Sequence, residues 1–427
     1  IDNAIEWLRG LGISIPDSGN RGGTLALKAS GFLLPSDFAA TARTATAAGN
    51  GRAGLAYSGV LTLDALNEPS FIYGLRQTSQ DRANLAVQHA GRASDGNIVL
   101  RLTVYSGDPA NPSVTPLPDI NLVPGGFFQI SGILTSNGLN LSNGFVKVER
   151  LSGSAPYYAY GVVNDQANSD GSFIPPVPES ASAGATALTV PVIVEANTFS
   201  SELTATNRAS VAKTVRLSYV ASAIQAPNAT ANFTLNLQPQ EQLIIPGLVQ
   251  YLRNKPVAGI GPKGPAFAGA LFATVDGEDV NDIFLGVRTS APGAGGQFGL
   301  FYVGVPKGQA FDGDGWLFGL QQDQLNRSNV AMVNTGETDN SDNHYVIEIY
   351  DGSSGLKAAT IPDFSLGARS WKQIGTVLAS YASGVNQGYA RIMRTSGNNP
   401  SIYYGVINDG GQPGERTGDG AYIPASE

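Results

Sequence analysis

Apolar and polar residues alternate along much of this chain. Val99-Leu100-Arg101-Leu102-Thr103-Val104-Tyr105, Phe145-Val146-Lys147-Val148-Glu149-Arg150 and Tyr389-Ala390-Arg391-Ile392-Met393-Arg394 each place apolar side chains at every second position. That is the period of a strand with one buried face. Turn-forming groups punctuate these runs: Gly107-Asp108-Pro109, Ser152-Gly153, Asp351-Gly352 and Ser396-Gly397-Asn398-Asn399-Pro400. Short strands at intervals of about 8–12 residues, separated by such turns, read as β-sandwiches. Helical periodicity is confined to two single turns, 4–10 and 247–254, and there is no βαβ alternation. The fold class expected is all-β, built of tandem immunoglobulin-like sandwiches.

The pattern is duplicated at an offset of 244–246 residues. Residues 53–91 match 298–336 without a gap, with 13 identities in 39, and residues 143–165 match 387–409 with 10 in 23. Gly54-Leu55, Tyr57 and Gly59-Val60 pair with Gly299-Leu300, Tyr302 and Gly304-Val305; Tyr160-Gly161-Val162 and Asn164-Asp165 pair with Tyr404-Gly405-Val406 and Asn408-Asp409. The match reaches back to Trp7-Leu8-Arg9 against Tyr251-Leu252-Arg253, so 1–176 repeats 245–424 and 187–244 has no counterpart before residue 1. A weaker echo sits inside each long unit. Thr206-Asn207 resembles Val333-Asn334, and the run from Gln242 to Val249 resembles that from Trp371 to Leu378. The expectation is four domains of one kind: an incomplete sandwich at 1–50, then sandwiches at 51–178, 187–296 and 297–427.

Composition narrows the setting. Charged residues make up only 14% of the 427, so the polar surface rests on Ser, Thr, Asn, Gln and Gly, as in many fibrous and secreted β-proteins. The net charge of −8 disfavours nucleic acid and anionic membranes, whose binding needs clustered Lys and Arg. Cysteine is absent, so sandwiches must hold by core packing, as bacterial extracellular domains commonly do. No run reaches the roughly 18 apolar residues of a membrane span. The first residue is Ile, and the chain reads as a processed or partial product.

The motifs of 187–424 resemble an uncharacterised family of long tandem-repeat proteins encoded by environmental bacteria. The resemblance is carried by Leu188-Thr189-Val190-Pro191-Val192-Ile193-Val194-Glu195, by the run from Phe267 to Val275, and by Gly299-Leu300-Phe301-Tyr302, Asn326-Arg327-Ser328-Asn329 and Gly418-Asp419-Gly420-Ala421. It implies a secreted, repeat-built β-protein and brings no catalytic residues with it.

Motifs for hydrolase, metalloprotease and phosphate-loop chemistry are missing; catalytic, cofactor-binding and metal-binding residues are expected to be none, and the chain is read as no enzyme. The two histidines align with non-histidines in the duplication, His89 with Asn334 and His344 with Val99, and read as solvated or edge-strand residues. Acidic loops at Asp276-Gly277-Glu278-Asp279, Asp312-Gly313-Asp314 and 339–342 have the residue types of a structural calcium site. Their first-half partners hold few acids and none has EF-hand spacing, so ordinary Asx turns are expected. The recurring pairs Asp165/Asp170 and Asp409/Asp419 read as Asx turns too, rather than as carboxylates across a cleft. Tyr158, Tyr160, Tyr403 and Tyr404 are candidates for stacking on sugar rings, with core packing the expected use. Asn140, Asn228, Asn232 and Asn326 stand in glycosylation sequons.

An incomplete first sandwich would leave apolar core and strand edges open to another chain. Pilus-type subunits close such a gap with a neighbour's strand, and a contact of that kind does not close on itself but propagates as a filament. The expected function is therefore a structural subunit of an extracellular, cell-surface bacterial filament, a helical homopolymer of this chain joined head to tail. A monomeric surface stalk or adhesin, or a carbohydrate-binding repeat protein, is the alternative.

Overall fold

A computed structural model of the chain describes residues 1, 3–19, 22–28, 39–224, 229–264 and 266–426. It is all-β, and its strands pair antiparallel in tandem two-layer sandwiches.

The chain opens with α1 (Ala4–Gly10) and a hairpin of β1 (Thr41–Ala48) and β2 (Gly51–Ser58). One sandwich follows, made of β3 (Ser70–Arg76), β4 (Asp81–His89), β5 (Ile98–Ser106), β6 (Val114–Pro116), β7 (Ile120–Leu122), β8 (Phe127–Ile130), β9 (Asn143–Ser152), β10 (Tyr157–Asp165) and β11 (Gly171–Ile174), with β12 (Val177–Pro178) leading out. The next holds β13 (Leu188–Ala196), β14 (Phe199–Asn207), β15 (Lys213–Ile224), β16 (Thr230–Leu237), β17 (Gln242–Ile245), α2 (Leu248–Asn254), β18 (Phe267–Val275), β19 (Ile283–Gly293) and β20 (Gly296–Val303). After β21 (Val305–Pro306) the last contains β22 (Gly315–Gln321), β23 (Asn326–Asn334), β24 (Asn343–Asp351), β25 (Lys357–Leu366), β26 (Trp371–Ile374), α3 (Val377–Tyr381), β27 (Gln387–Ser396), β28 (Ser401–Asp409) and β29 (Gly420–Pro424).

All three sandwiches share one strand order. Sheets β22-β27-β24-β25 and β26-β23-β28-β29 correspond to β3-β9-β5-β6 and β8-β4-β10-β11. In the third sandwich the same two sheets, β13-β18-β15-β16 and β17-β14-β19-β20, are joined into one by a short β13–β14 pairing at Glu195↔Ser200. Each has its own buried core: Ile72, Leu100, Phe145 and Tyr157 in the second; Val190, Leu217, Tyr219 and Leu271 in the third; Leu317, Ile347, Ile392 and Tyr403 in the fourth.

This common order fixes what the chain's beginning is. By sequence offset and by pairing, α1, β1 and β2 are the counterparts of α2, β19 and β20. The first sandwich thus holds the closing elements of the plan. The boundaries expected at 50/51 and 296/297 fall at the turns of two hairpins, where Ala48 pairs with Gly51 and Gly293 with Gly296; β2 and β20 belong with the strands before them. The helical turn α3 is an element the sequence reading did not anticipate. Among the described residues no helix is long and apolar enough to cross a membrane.

Candidate assembly site

The third sandwich shows what the first would be if filled. There β18 lies between β13 and β15, β19 lies between β14 and β20, and α2 buries Leu248, Val249 and Leu252. In the first sandwich α1 buries none of its residues. Residues 22–28, at the chain position of β18, form no strand and are exposed. β1 pairs, among the described residues, with β2 alone, and nearly all of its side chains face solvent, whereas Gly286, Val287 and Arg288, the counterparts of its first three residues, are buried.

Apolar surface is left open as a consequence. Trp7 is 45% exposed, Leu25 55% and Leu27 49%. Val60 and Leu61 are exposed as well. Their counterparts in the third sandwich lie beside β13: Val305 and Pro306 pair with Thr189 and Leu188, and the Lys307 N–H donates to Ala187 O at 2.9 Å. The neighbouring face of the second sandwich repeats the contrast. Trp371, Ile402 and Tyr404 are buried against Val192, Ala268 and Ala270 of β13 and β18. Their equivalents Phe127, Tyr158 and Tyr160 are only half-buried.

Proteins usually blunt a sheet edge with lysine, proline or a bulge. The β1 sequence Thr-Ala-Arg-Thr-Ala-Thr-Ala-Ala has none of these. Its one charge, Arg43, is turned to Asp419 at 3.2 Å. The edge is thus mostly threonine and alanine, its single charge paired, and among the described residues it has no second partner strand.

Four strands, one from each sandwich, meet at the centre of the molecule. Leu55 of β2, Phe173 of β11, Leu300 of β20 and Tyr422 of β29 line a largely apolar cavity of about 400 Å³. The recurring aspartates tie this junction together. Asp165 does make the expected Asx turn, accepting from Ala167 N at 2.8 Å and Asn168 N at 3.1 Å, but its other oxygen accepts from Gln297 N of the next sandwich at 2.9 Å. Asp409 accepts from Arg52 N at 3.1 Å in the same way. Asp170 takes Gly299 N at 2.8 Å and Gly54 N at 3.4 Å, and lies 3.8 Å from Arg288. Asp419 pairs with Arg43. Asp170 and Asp419 are both fully buried. Burial raises both pKa values; their mutual repulsion pushes Asp419 further, to well above the carboxylate range. The expectation that these four are local Asx turns is corrected: Asp165 makes such a turn, Asp170, Asp409 and Asp419 spend their carboxylates elsewhere, and all four clamp the sandwiches to one another. The signal was their recurrence beside Gly171 and Gly420, where a Cβ would strike Leu55 and Leu300.

The remaining predicted residues scatter. Tyr403 lies in the core of the fourth sandwich, its hydroxyl donating to Gly313 O at 3.2 Å. Tyr404 is fully buried between the third and fourth, edge-on to Tyr302 at 5.3 Å and accepting from Trp371 Nε1 at 2.8 Å. Neither can stack on a sugar. Tyr160 repeats the Tyr404 role against Tyr57 at 5.5 Å, with Tyr158 beside it at 6.4 Å. Asn140 and Asn232 are exposed; Asn228 lies outside the described residues. Asn326 is buried and accepts from Arg52 Nη2 at 2.9 Å, so its sequon is not open to a glycan.

His89 is likewise corrected, being 1% exposed. Its Nδ1 accepts from Gly91 N at 3.1 Å and its Nε2 faces Gly96 O at 2.9 Å. Asn334 makes the equivalent bonds, to Gly336 N and Ser341 O. His344 is at the surface, 2.8 Å from Asp363. In the acidic loops, Asp276 pairs with Arg216, Glu278 with Lys213 and Asp314 with Arg391, while Asp339 accepts from the Ser341 hydroxyl, Asn398 and the Ser341 N–H, which hold its pKa down at about 2. Among the described residues no three His, Cys, Asp or Glu side chains are grouped to hold a metal ion.

No family model matches the chain, and no curated protein shows significant similarity to it.

Proposed function

We propose that this protein is a structural subunit of an extracellular bacterial filament, assembled head to tail through completion of its first sandwich, and not an enzyme. One observation carries the reading. β1 holds the chain position of β19 and pairs with the following strand as β19 does, yet among the described residues no strand takes the edge that β19 gives to β14. An open strand edge whose one charge is paired, together with exposed Leu and Trp side chains elsewhere in the first sandwich, is a strong drive to associate. The low charge and absence of cysteine fit a dense fibre held by backbone ladders and apolar contacts.

Sedimentation of the native material tests this. A filament subunit runs as a polymer at low and at high salt, because such joints are not screened. Material that sediments as single chains at micromolar concentration under both conditions contradicts the proposal.

A further inference from the structure

We infer that the open first sandwich is a socket for a polypeptide segment with the strand pattern of residues 188–245, brought by a neighbouring molecule. The inference rests on the assembly reading above and specifies the partner.

The chemistry of the occupant is set by the molecule's own internal repeat. The third sandwich is the first one with β13 to β17 in place, and three of the contacts those strands make are open at their counterparts among the described residues. β14 runs along β19 in the register Ser201↔Thr289, Leu203↔Val287; the matching positions on β1 are Thr44 and Ala42, both exposed. β13 passes along β21; the matching residues are the exposed Val60 and Leu61. β13 and β18 cover Trp371 and Tyr404; the matching Phe127 and Tyr160 are half-covered. On one and the same face the occupant must match an apolar position, as Leu203 is opposite Val287, and a small polar one, as Ser201 is, buried with its hydroxyl 2.8 Å from that of Thr289.

Stoichiometry sets the source. Residues 1–427 contain one β13–β17 segment and two sandwiches of the kind that take it. Trading that segment between copies would empty one socket for each it fills. The occupant is therefore a segment of this strand pattern other than the β13–β17 already seated in a third sandwich, presented by the next molecule in the assembly.

The absence of cysteine allows a register-specific test on the full chain. A disulfide needs Cα atoms about 4.4–6.8 Å apart with side chains on one face. The probe is a synthetic peptide of residues 197–208 carrying Ser201→Cys, added to the Thr44→Cys chain under mild oxidation. A second pair, Ala42→Cys with Leu203→Cys, repeats the test one register step away. Both pairs are expected to cross-link, and the peptide with Glu202→Cys, which faces the other side of the strand, to lose the cross-link to Thr44→Cys. No cross-link in either pair, cross-linking indifferent to register, or Thr44→Cys chains joining preferentially to each other in the peptide's presence would each overturn the inference. A polymeric native material with no peptide cross-link would sink this inference and leave the assembly reading; in-register cross-linking with monomeric native material would do the reverse.

Discussion

Asp170 and Asp419, equivalent residues of the two halves, face each other at the junction of all four sandwiches, and Oδ1 of Asp419 has no N–H or hydroxyl donor. Two carboxylates cannot donate to one another, so the contact holds only while one of them carries a proton. Arg43 lies on Asp419 and Arg288 on Asp170, and the Gly54 and Gly299 amides complete the surroundings of Asp170.

The folded pKa values of this pair are raised, by burial first. The folded state therefore holds the proton more tightly than the unfolded chain does. Its contribution is fully present below the ordinary carboxylate range near about 4 and is lost as pH rises through the raised values. Asp419→Asn, which cannot ionise, is expected to flatten that decline. Denaturant midpoints of wild type and variant should converge at acid pH and separate, variant higher, towards neutral pH. An unchanged pH slope would contradict the shared proton.

His89 is expected to be replaceable by what its counterparts already use. Asn207 and Asn334 both accept from the amide two residues on and donate across the sandwich end. His89→Asn should cost less than about 1 kcal/mol, whereas His89→Leu strands Gly91 N–H and Gly96 O and should cost more than about 2 kcal/mol. Urea denaturation measures both.

The tyrosines separate packing from ligand stacking. Tyr403→Ala empties a core position and should destabilise the protein by about 3–5 kcal/mol. Tyr158→Ala, at a half-buried residue that lines the central cavity, should cost less than about 2 kcal/mol. Retention of wild type on a polysaccharide column, lost in Tyr158→Ala with stability kept, would point instead to a sugar-binding face.

Ala42 isolates assembly from folding. Its side chain is exposed in the free chain, yet its counterpart Val287 is fully buried. Ala42→Asp should leave the stability of the single chain within about 0.5 kcal/mol while placing a charge inside any completed first sandwich. Loss of sedimenting polymer with an unchanged melting temperature is the expected result.

Much of this architecture was legible in the chain itself. The offset between Gly54-Leu55 and Gly299-Leu300, and between Asn164-Asp165 and Asn408-Asp409, is the offset between β2 and β20 and between β10 and β28. The echo of Gln242 in Trp371 marks β17 and β26, each followed by a helical turn. Alternation alone could not say which side of a strand meets another sandwich. Tyr403 and Tyr404 are adjacent, and one fills a core while the other fills an interface. Nor could turn chemistry say that Asp165 uses its second oxygen on a neighbouring sandwich, since one oxygen suffices for its Asx turn, or that Asp409 turns its carboxylate to Arg52. The boundary near 50 was misplaced because the tight turn at Gly49 and Asn50 reads like a linker until the pairing of Ala48 with Gly51 is seen.

Electron microscopy of the native, undenatured material tests the central claim most directly. Regular fibres, with density for additional strands against β1 and over Val60 and Leu61, are the predicted result. Isolated beads of three or four domains at micromolar concentration, with β1 bare, would contradict it.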